Sequence, residues 1–145
     1  MIRIRKMEQK DLDAVTRIEA ESFSMPWSRN AFADTLALPY YRYFVAEEDG
    51  EVLGYCGFLF AAAEGEIPNV CVASTARRRG VGTCLMEALC EEAKQCGVAD
   101  LFLEVRQSNT AAKNLYQSFG FENIGIRKGF YEFPKEDAIL MKKSI

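Results

Sequence analysis

The stretch Asn69 to Met86, NVCVASTARRRGVGTCLM, constrains this chain more than any other. A short apolar run leads through a polar turn and a basic triplet to two glycines one residue apart, and then to an amphipathic segment. That order predicts a buried strand, a loop and a helix start, with the glycines where backbone must approach something closely. Helix N-termini carry unpaired N–H groups and the positive end of the helix dipole. Arg78, Arg79, Gly80, Val81, Gly82 and Thr83 therefore suit a pyrophosphate wrapped by main-chain donors. For a lone G-x-G the plainer alternative is a solvated basic turn followed by a surface helix. The loop is not a Walker A loop, since no Gly-Lys-Ser/Thr follows, and the G-x-G-x-x-G spacing of a dinucleotide fingerprint is not met.

With 145 residues, the chain is expected to form one domain, 1–145. That length buries roughly 68–70% of the unfolded surface around one core. The net charge of −3 comes from 18 Lys and Arg against 21 Asp and Glu, and the only dense basic cluster is Arg77 to Arg79. No stripe suits a nucleic-acid backbone; one short cluster suits one small anion. The five cysteines, Cys56, Cys71, Cys84, Cys90 and Cys96, form no C-x-x-C pair and read as small hydrophobes in a reducing cytosol. Histidine is absent. This removes Ser-His and Cys-His catalysis and the common His-containing zinc sites, so no metal is expected, and Glu, Asp, Tyr, Cys or Lys must move any proton. The N-terminus MIRIRKMEQKDL lacks the apolar core of a signal peptide and no run approaches a membrane span, so a soluble, cytoplasmic protein is expected. A monomer is expected as well.

Along the chain, Ile2 to Met7 predicts a strand, and Leu12, Val15, Ile18 and Phe23 predict one face of a helix. Ser28 is a natural N-cap for a short helix reaching about Leu38, with Trp27 packing on Phe32 as a hydrophobic staple. Tyr43 to Glu47 and Val52 to Ala61 flank Asp49-Gly50, a hairpin turn signal. Glu66 to Ala73 is the next strand, and pairing should fail near Pro68 and Asn69 because proline cannot donate to a ladder. Gly80 to Cys96 is the main helix, stopped by Gly97, with Val81, Leu85, Leu89 and Ala93 on its apolar face. Leu101 to Arg106 reads as a strand parallel to the one before that helix. Ser108 or Asn109 caps a helix with Ala112, Leu115, Tyr116 and Phe119 on one face, ended by Gly120. Phe121 to Tyr131 and Asp137 to Lys142 complete the sheet, with Pro134 in the loop between them.

Two side chains stand out chemically. Glu104 lies in LFLEVR, where burial would make a carboxylate costly to ionise and raise its pKa toward that of a useful general base. Alternatively it faces water or pairs with Arg106 on the same face of the strand. Tyr116 is a core aromatic by periodicity, but a phenol can also donate a proton to a leaving thiolate, since their pKa values are about 10 and 8.5. Asn109 is by itself a helix cap.

The R-x-x-G-x-G set by Arg77, Gly80 and Gly82, with LEVRQSNTAAKNLYQSFGF from Leu103 to Phe121, resembles the GCN5-related N-acetyltransferase (GNAT) superfamily. EVR-x-SN-x-x-A-x-x-LY-x-x-x-GF, together with PWS and EDAILM, is similar to its branch of ribosomal-protein alanine N-acetyltransferases, with motifs from Pro26 to Met141. The resemblance implies an α/β (α+β) fold with a mixed, mostly antiparallel sheet of seven strands and about four helices, splayed between strands 4 and 5 where acetyl coenzyme A inserts. It implies that Glu104 deprotonates the attacking amine, directly or through water, and that Tyr116 protonates departing coenzyme A. It further implies that Val70, Cys71 and Val72 bind pantetheine through backbone, that Asn109 contacts it, and that Arg78 to Thr83 hold the pyrophosphate. Many relatives carry Asp-Pro where this chain has Ala73-Ser74, and Tyr-Tyr where it has Phe130-Tyr131, near the family's peptide entrance.

The implied reaction is direct transfer from the thioester to the amine, with backbone N–H near Val72 facing the oxyanion. An α-amino group, of pKa about 7.7–8.0, needs a weaker base than lysine at about 10.4, which favours a protein N-terminus. The expected substrate is the N-terminal alanine of a small-subunit ribosomal protein. A lysine or small-amine acetyltransferase on the same fold, or a coenzyme A-binding module without turnover, are the alternatives.

Overall fold

A computed structural model describes residues 1–145. Its strands form one sheet in the order β1-β2-β3-β4-β5-β7-β6. The strands are β1 Arg3–Lys6, β2 Tyr41–Glu48, β3 Glu51–Ala61, β4 Glu64–Val72, β5 Asp100–Arg106, β6 Glu122–Tyr131 and β7 Glu136–Ser144. The α-helices are α1 Leu12–Ser22, α2 Arg29–Leu36, α3 Val81–Gln95 and α4 Thr110–Ser118. Every neighbouring pair of strands is antiparallel except β4 and β5, which are parallel because α3 carries the chain back across the sheet between them. The expected mixed, mostly antiparallel seven-stranded α/β fold is the one observed. No helix is long and apolar enough to cross a membrane.

Local chemistry explains the joints. Ser28 Oγ accepts from the Ala31 N–H at 3.1 Å, and Trp27 lies 5.2 Å from Phe32 between ring centroids, so cap and staple together start α2. Asp49 and Gly50 both take positive φ, 53° and 80°, as the tight β2–β3 hairpin demands. Asn109 rather than Ser108 caps α4, its Oδ1 accepting from Ala112 N–H at 3.1 Å. Phe23 departs from expectation: α1 stops at Ser22, the backbone of Phe23 is extended, and its ring is 38% exposed instead of continuing the buried face.

Two cores lie on opposite sides of the sheet. The larger gathers Val81, Leu85, Met86 and Leu89 of α3 with Leu101, Leu103 and Val105 of β5 and Tyr116 of α4. The smaller gathers Leu12, Val15 and Ile18 of α1 and Phe32 of α2 against Tyr43, Val45, Tyr55 and Cys71. The feature that matters most is between β4 and β5. Their pairing runs from Glu64 with Asp100 to Ile67 with Leu103 and goes no further, although both strands continue. On the other side of β4, Leu59 pairs with Glu66 but Gly57 pairs with Asn69, so Ile67 and Pro68 together oppose Phe58. This is a bulge at the proline, and it swings the rest of β4 away from β5.

Candidate active site

Past the bulge, one edge of β4 stays on β3 and the other faces an open gap. Ala73 N–H donates to the Leu53 carbonyl at 2.8 Å. Alternation along the antiparallel ladder then assigns Cys71, opposite Tyr55, to the hydrogen-bonded set and turns the main-chain groups of Val70 and Val72 toward the gap. Of the three β4 residues expected to offer backbone there, Val70 and Val72 do so. The Cys71 thiol instead donates to Ser22 Oγ at 2.9 Å beneath α1, and burial pushes its pKa up.

The gap leads to the Arg77–Thr83 loop. Arg78 and Gly80 both adopt left-handed backbone, φ 65° and 77°, and Gly80 is the N-cap of α3. No N–H from Arg77 through Thr83 donates to a carbonyl of the protein, and the first capping bond is from Cys84 N–H to the Gly80 carbonyl at 3.1 Å. A run of unpaired donors at a helix start with left-handed turns is a cradle for an anion. The two glycines have different reasons to be there. Gly80 has open space around it and is required by its φ, whereas a Cβ on Gly82 would sit 3.1 Å from Leu115 Cδ2 of α4. The Arg79 guanidinium is engaged by Glu48 of β2, which leaves its backbone rather than its side chain facing the loop.

Glu104 and Tyr116 reach the gap by different routes. Leu101, Leu103 and Val105 turn into the large core, so alternation puts Phe102, Glu104 and Arg106 on the opposite face, where α1 packs on β3 and β4. Glu104 is consequently half-buried and not enclosed in an apolar strand as its surroundings in sequence suggest. No donor of the protein reaches its carboxylate, and it does not pair with Arg106. Tyr116 projects from α4 into the large core, edge-on to Phe121 at 5.8 Å, and is 8% exposed. Its hydroxyl has no partner, and since no buried side-chain oxygen is left unpaired, that hydroxyl reaches open space. Burial, then the nearby Cys56, Tyr131 and Cys71, push its pKa above the ordinary phenol range. Asn109 Nδ2 stays free while its Oδ1 caps α4.

Three further features were not legible from the motifs. Tyr131 is a common neighbour of both groups: burial and then the Glu104 charge push its phenol up to about 12, and it bears in turn on Tyr116. Arg106 stacks on the Tyr131 ring at 4.3 Å. Its guanidinium also bonds the Pro134 carbonyl at 2.9 Å, Glu136 at 3.1 Å and Ser24 Oγ at 3.3 Å, bridging the loop after α1 to the β6–β7 loop. Finally, Glu19 of α1 is a buried carboxylate with its own set of donors. It stands seven residues after Leu12 and four after Val15, on the apolar stripe of α1, and that position is the signal that would have found it. No three His, Cys, Asp or Glu side chains converge as metal ligands do.

The model of the acetyltransferase (GNAT) family matches residues 12–121. The chain belongs to that family. As a GNAT acetyltransferase it is an acyltransferase, and the parting of β4 and β5 is part of the family's fold. It is similar to the [ribosomal protein bS18]-alanine N-acetyltransferase of Escherichia coli K12, 36% identical over 140 residues that cover 95% of this chain and 94% of that one. The crystal structure of the ribosomal-protein-S18-alanine N-acetyltransferase from Escherichia coli superposes with a TM-score of 0.91 at 35% identity, covering 100% of this chain and 94% of the other. That of Ard1 from Thermoplasma volcanium superposes at 0.90 with 25% identity, over 99% and 97%.

Proposed function

We propose that this acetyltransferase moves the acetyl group of acetyl coenzyme A to the α-amino group of a protein N-terminus, and that its substrate is the N-terminal alanine of a ribosomal protein of the S18 type. The observation that carries the reading is the parting of β4 and β5, which continues into a loop of free N–H groups, beside the half-buried, unpartnered carboxylate of Glu104 on β5; the open phenol of Tyr116 on α4 supports it. Similarity to the Escherichia coli enzyme, in sequence and in fold, over nearly the whole chain supports the choice of acceptor.

Acetyl coenzyme A supplies the acetyl group as a thioester. The N–H groups of Arg78 to Thr83 hold its pyrophosphate, Val70 and Val72 receive its pantetheine arm between β4 and β5, and Asn109 Nδ2 is the donor left over on the α4 side. Glu104 takes a proton from the incoming ammonium, directly or through one water, and the free amine attacks the thioester carbonyl. A main-chain N–H of the Val70–Val72 segment meets the developing oxyanion. The carbon–sulfur bond breaks as Tyr116 gives its proton to the departing thiolate; the nitrogen's second proton then returns to the Tyr116 phenolate as the amide forms, and Glu104 releases its proton to water. A phenol whose pKa is raised stays protonated through neutral pH, as a proton donor must.

A peptide chain fits the entrance better than a small amine. The gap opens between the loop after α1 and the β6–β7 loop, joined by Arg106 and rimmed by the exposed apolar side chains of Met25, Phe130 and Phe133. The test is acetylation of three peptides by the purified protein: one with a free N-terminal alanine, the same peptide N-blocked but carrying lysine, and one with another first residue. Selective acetylation of the first is expected; preference for the lysine peptide would move the acceptor to the ε-amino class.

A further inference from the structure

Glu19 is 2% exposed and takes no part in the reaction described above. Its Oε2 accepts the backbone N–H of Trp27 at 2.9 Å, and its Oε1 accepts from the Tyr55 hydroxyl and from Asn69 Nδ2 at 3.4 Å. Asn69 Oδ1 in turn accepts from the Tyr43 hydroxyl at 2.9 Å. Every polar atom of this buried set has a partner. Burying a carboxylate is costly unless such partners compensate it, and a hydrophobic side chain at this position of the α1 stripe would pack without that cost. The carboxylate therefore needs a reason beyond stability, and its partners suggest one.

Asn69 follows Pro68 in the bulge where β4 leaves β5, and Trp27 lies in the loop that joins α1 to α2. Ser24 of that same loop is held by Arg106, two residues beyond Glu104 on the same face of β5. One buried carboxylate thus ties together the strand that forms one wall of the gap and the loop that forms its rim.

We propose that Glu19 is a positioning residue for the acceptor: through Trp27 N–H and Asn69 it fixes the α1–α2 loop and the β4 bulge relative to each other, and so sets the entrance that the peptide must thread. The inference rests on the acceptor reading given above. The pyrophosphate of acetyl coenzyme A is held at the other end of the gap, by the loop before α3, which this network does not touch, and the main-chain groups of Val70 and Val72 that face its pantetheine arm are not bonded by the network.

The experiment compares the full-length protein with Glu19→Gln and Tyr43→Phe, both checked for folding by circular dichroism and melting. Trp27 is the single tryptophan, so its quenching by acrylamide reports the loop directly and needs no turnover. Glu19→Gln should raise Trp27 quenching and raise KM for an alanine-leading peptide about tenfold while KM for acetyl coenzyme A stays within about twofold. Tyr43→Phe, which removes only the outer bond to Asn69, should shift the peptide KM in the same direction by less, and it decides the matter if Glu19→Gln does not fold. Equal rises in both KM values, or unchanged quenching and peptide KM in a folded variant, would overturn the proposal. A wild-type protein that acetylates no peptide would fail the acceptor reading, and the Trp27 measurement would then decide on the positioning role alone.

Discussion

Glu104 and Tyr116 approach the gap between β4 and β5 from opposite faces of the sheet, one from β5 on the side of α1 and the other from α4 within the large core. The gap exists because the pairing of the two strands stops at Ile67 with Leu103, just before Pro68. Tyr131 neighbours both, which gives the geometry a test independent of turnover. Burial and then the Glu104 charge push the Tyr131 phenol up to about 12. Glu104→Gln should therefore let Tyr131 ionise at lower pH, measured by difference absorbance against a Tyr131→Phe control. An unchanged titration would mean that Glu104 does not face Tyr131.

The loop before α3 should prefer acetyl coenzyme A to nucleoside triphosphates. Gly80 has a φ of 77°, so Gly80→Ala should cost about 1–2 kcal/mol of stability from left-handed backbone alone and weaken acetyl coenzyme A binding. Gly82→Ala should act differently, by pressing on Leu115 and moving α4. Calorimetry with acetyl coenzyme A and ATP on all three proteins checks both points; tighter binding of ATP to the wild type would contradict the assignment.

Much of this was legible in the sequence because it is written in local chemistry. Asp49-Gly50, Ser28 with Trp27 and Phe32, Gly97 and Pro68 each act within a few residues, through positive φ, a cap, a staple or a missing N–H. What could not be read depends on partners distant in the chain. Arg106 goes to Ser24, Pro134 and Glu136 instead of to Glu104, and Glu19 finds Asn69 fifty residues on. For Glu104 the sequence leaves two readings open, a carboxylate desolvated among apolar neighbours and one that faces water or pairs with Arg106. Those neighbours point to the other face, and only the limited reach of α1 over the sheet reveals that the glutamate is half-buried.

The cysteines should be dispensable for the chemistry. Cys71 lies near the gap, but its thiol is turned under α1 toward Ser22, and burial raises its pKa so that it stays protonated at neutral pH. Cys71→Ala should keep its rate of transfer, and chelators should leave the wild type unchanged. Loss of activity in a folded Cys71→Ala protein would reopen a thiol mechanism.

Acid sensitivity should come in part from β2. Hydrogen bonds from Arg5 and then Arg3 hold the Glu47 carboxyl down to about 2. A depressed carboxyl adds stability above its unfolded pKa, about 4.3, and loses it as pH falls toward the folded value. Melting temperature followed between those two pH values should fall more steeply for the wild type than for Glu47→Gln, and the gap between them should close at the acid end. Parallel curves would show that the pair contributes nothing to acid stability.

The division of labour between Glu104 and Tyr116 is tested most directly by the pH–rate profile of kcat/KM for an alanine-leading peptide, taken on the wild type, Glu104→Gln and Tyr116→Phe where chemistry limits the rate. Loss of the base should slow transfer by roughly 10²–10⁴ at neutral pH and be partly rescued as pH rises, because the amine then arrives neutral. Loss of the phenol should slow transfer without that rescue, because what is missing is a proton for the thiolate. Wild-type rates in Glu104→Gln, or equal rescue of both variants at high pH, would contradict the account.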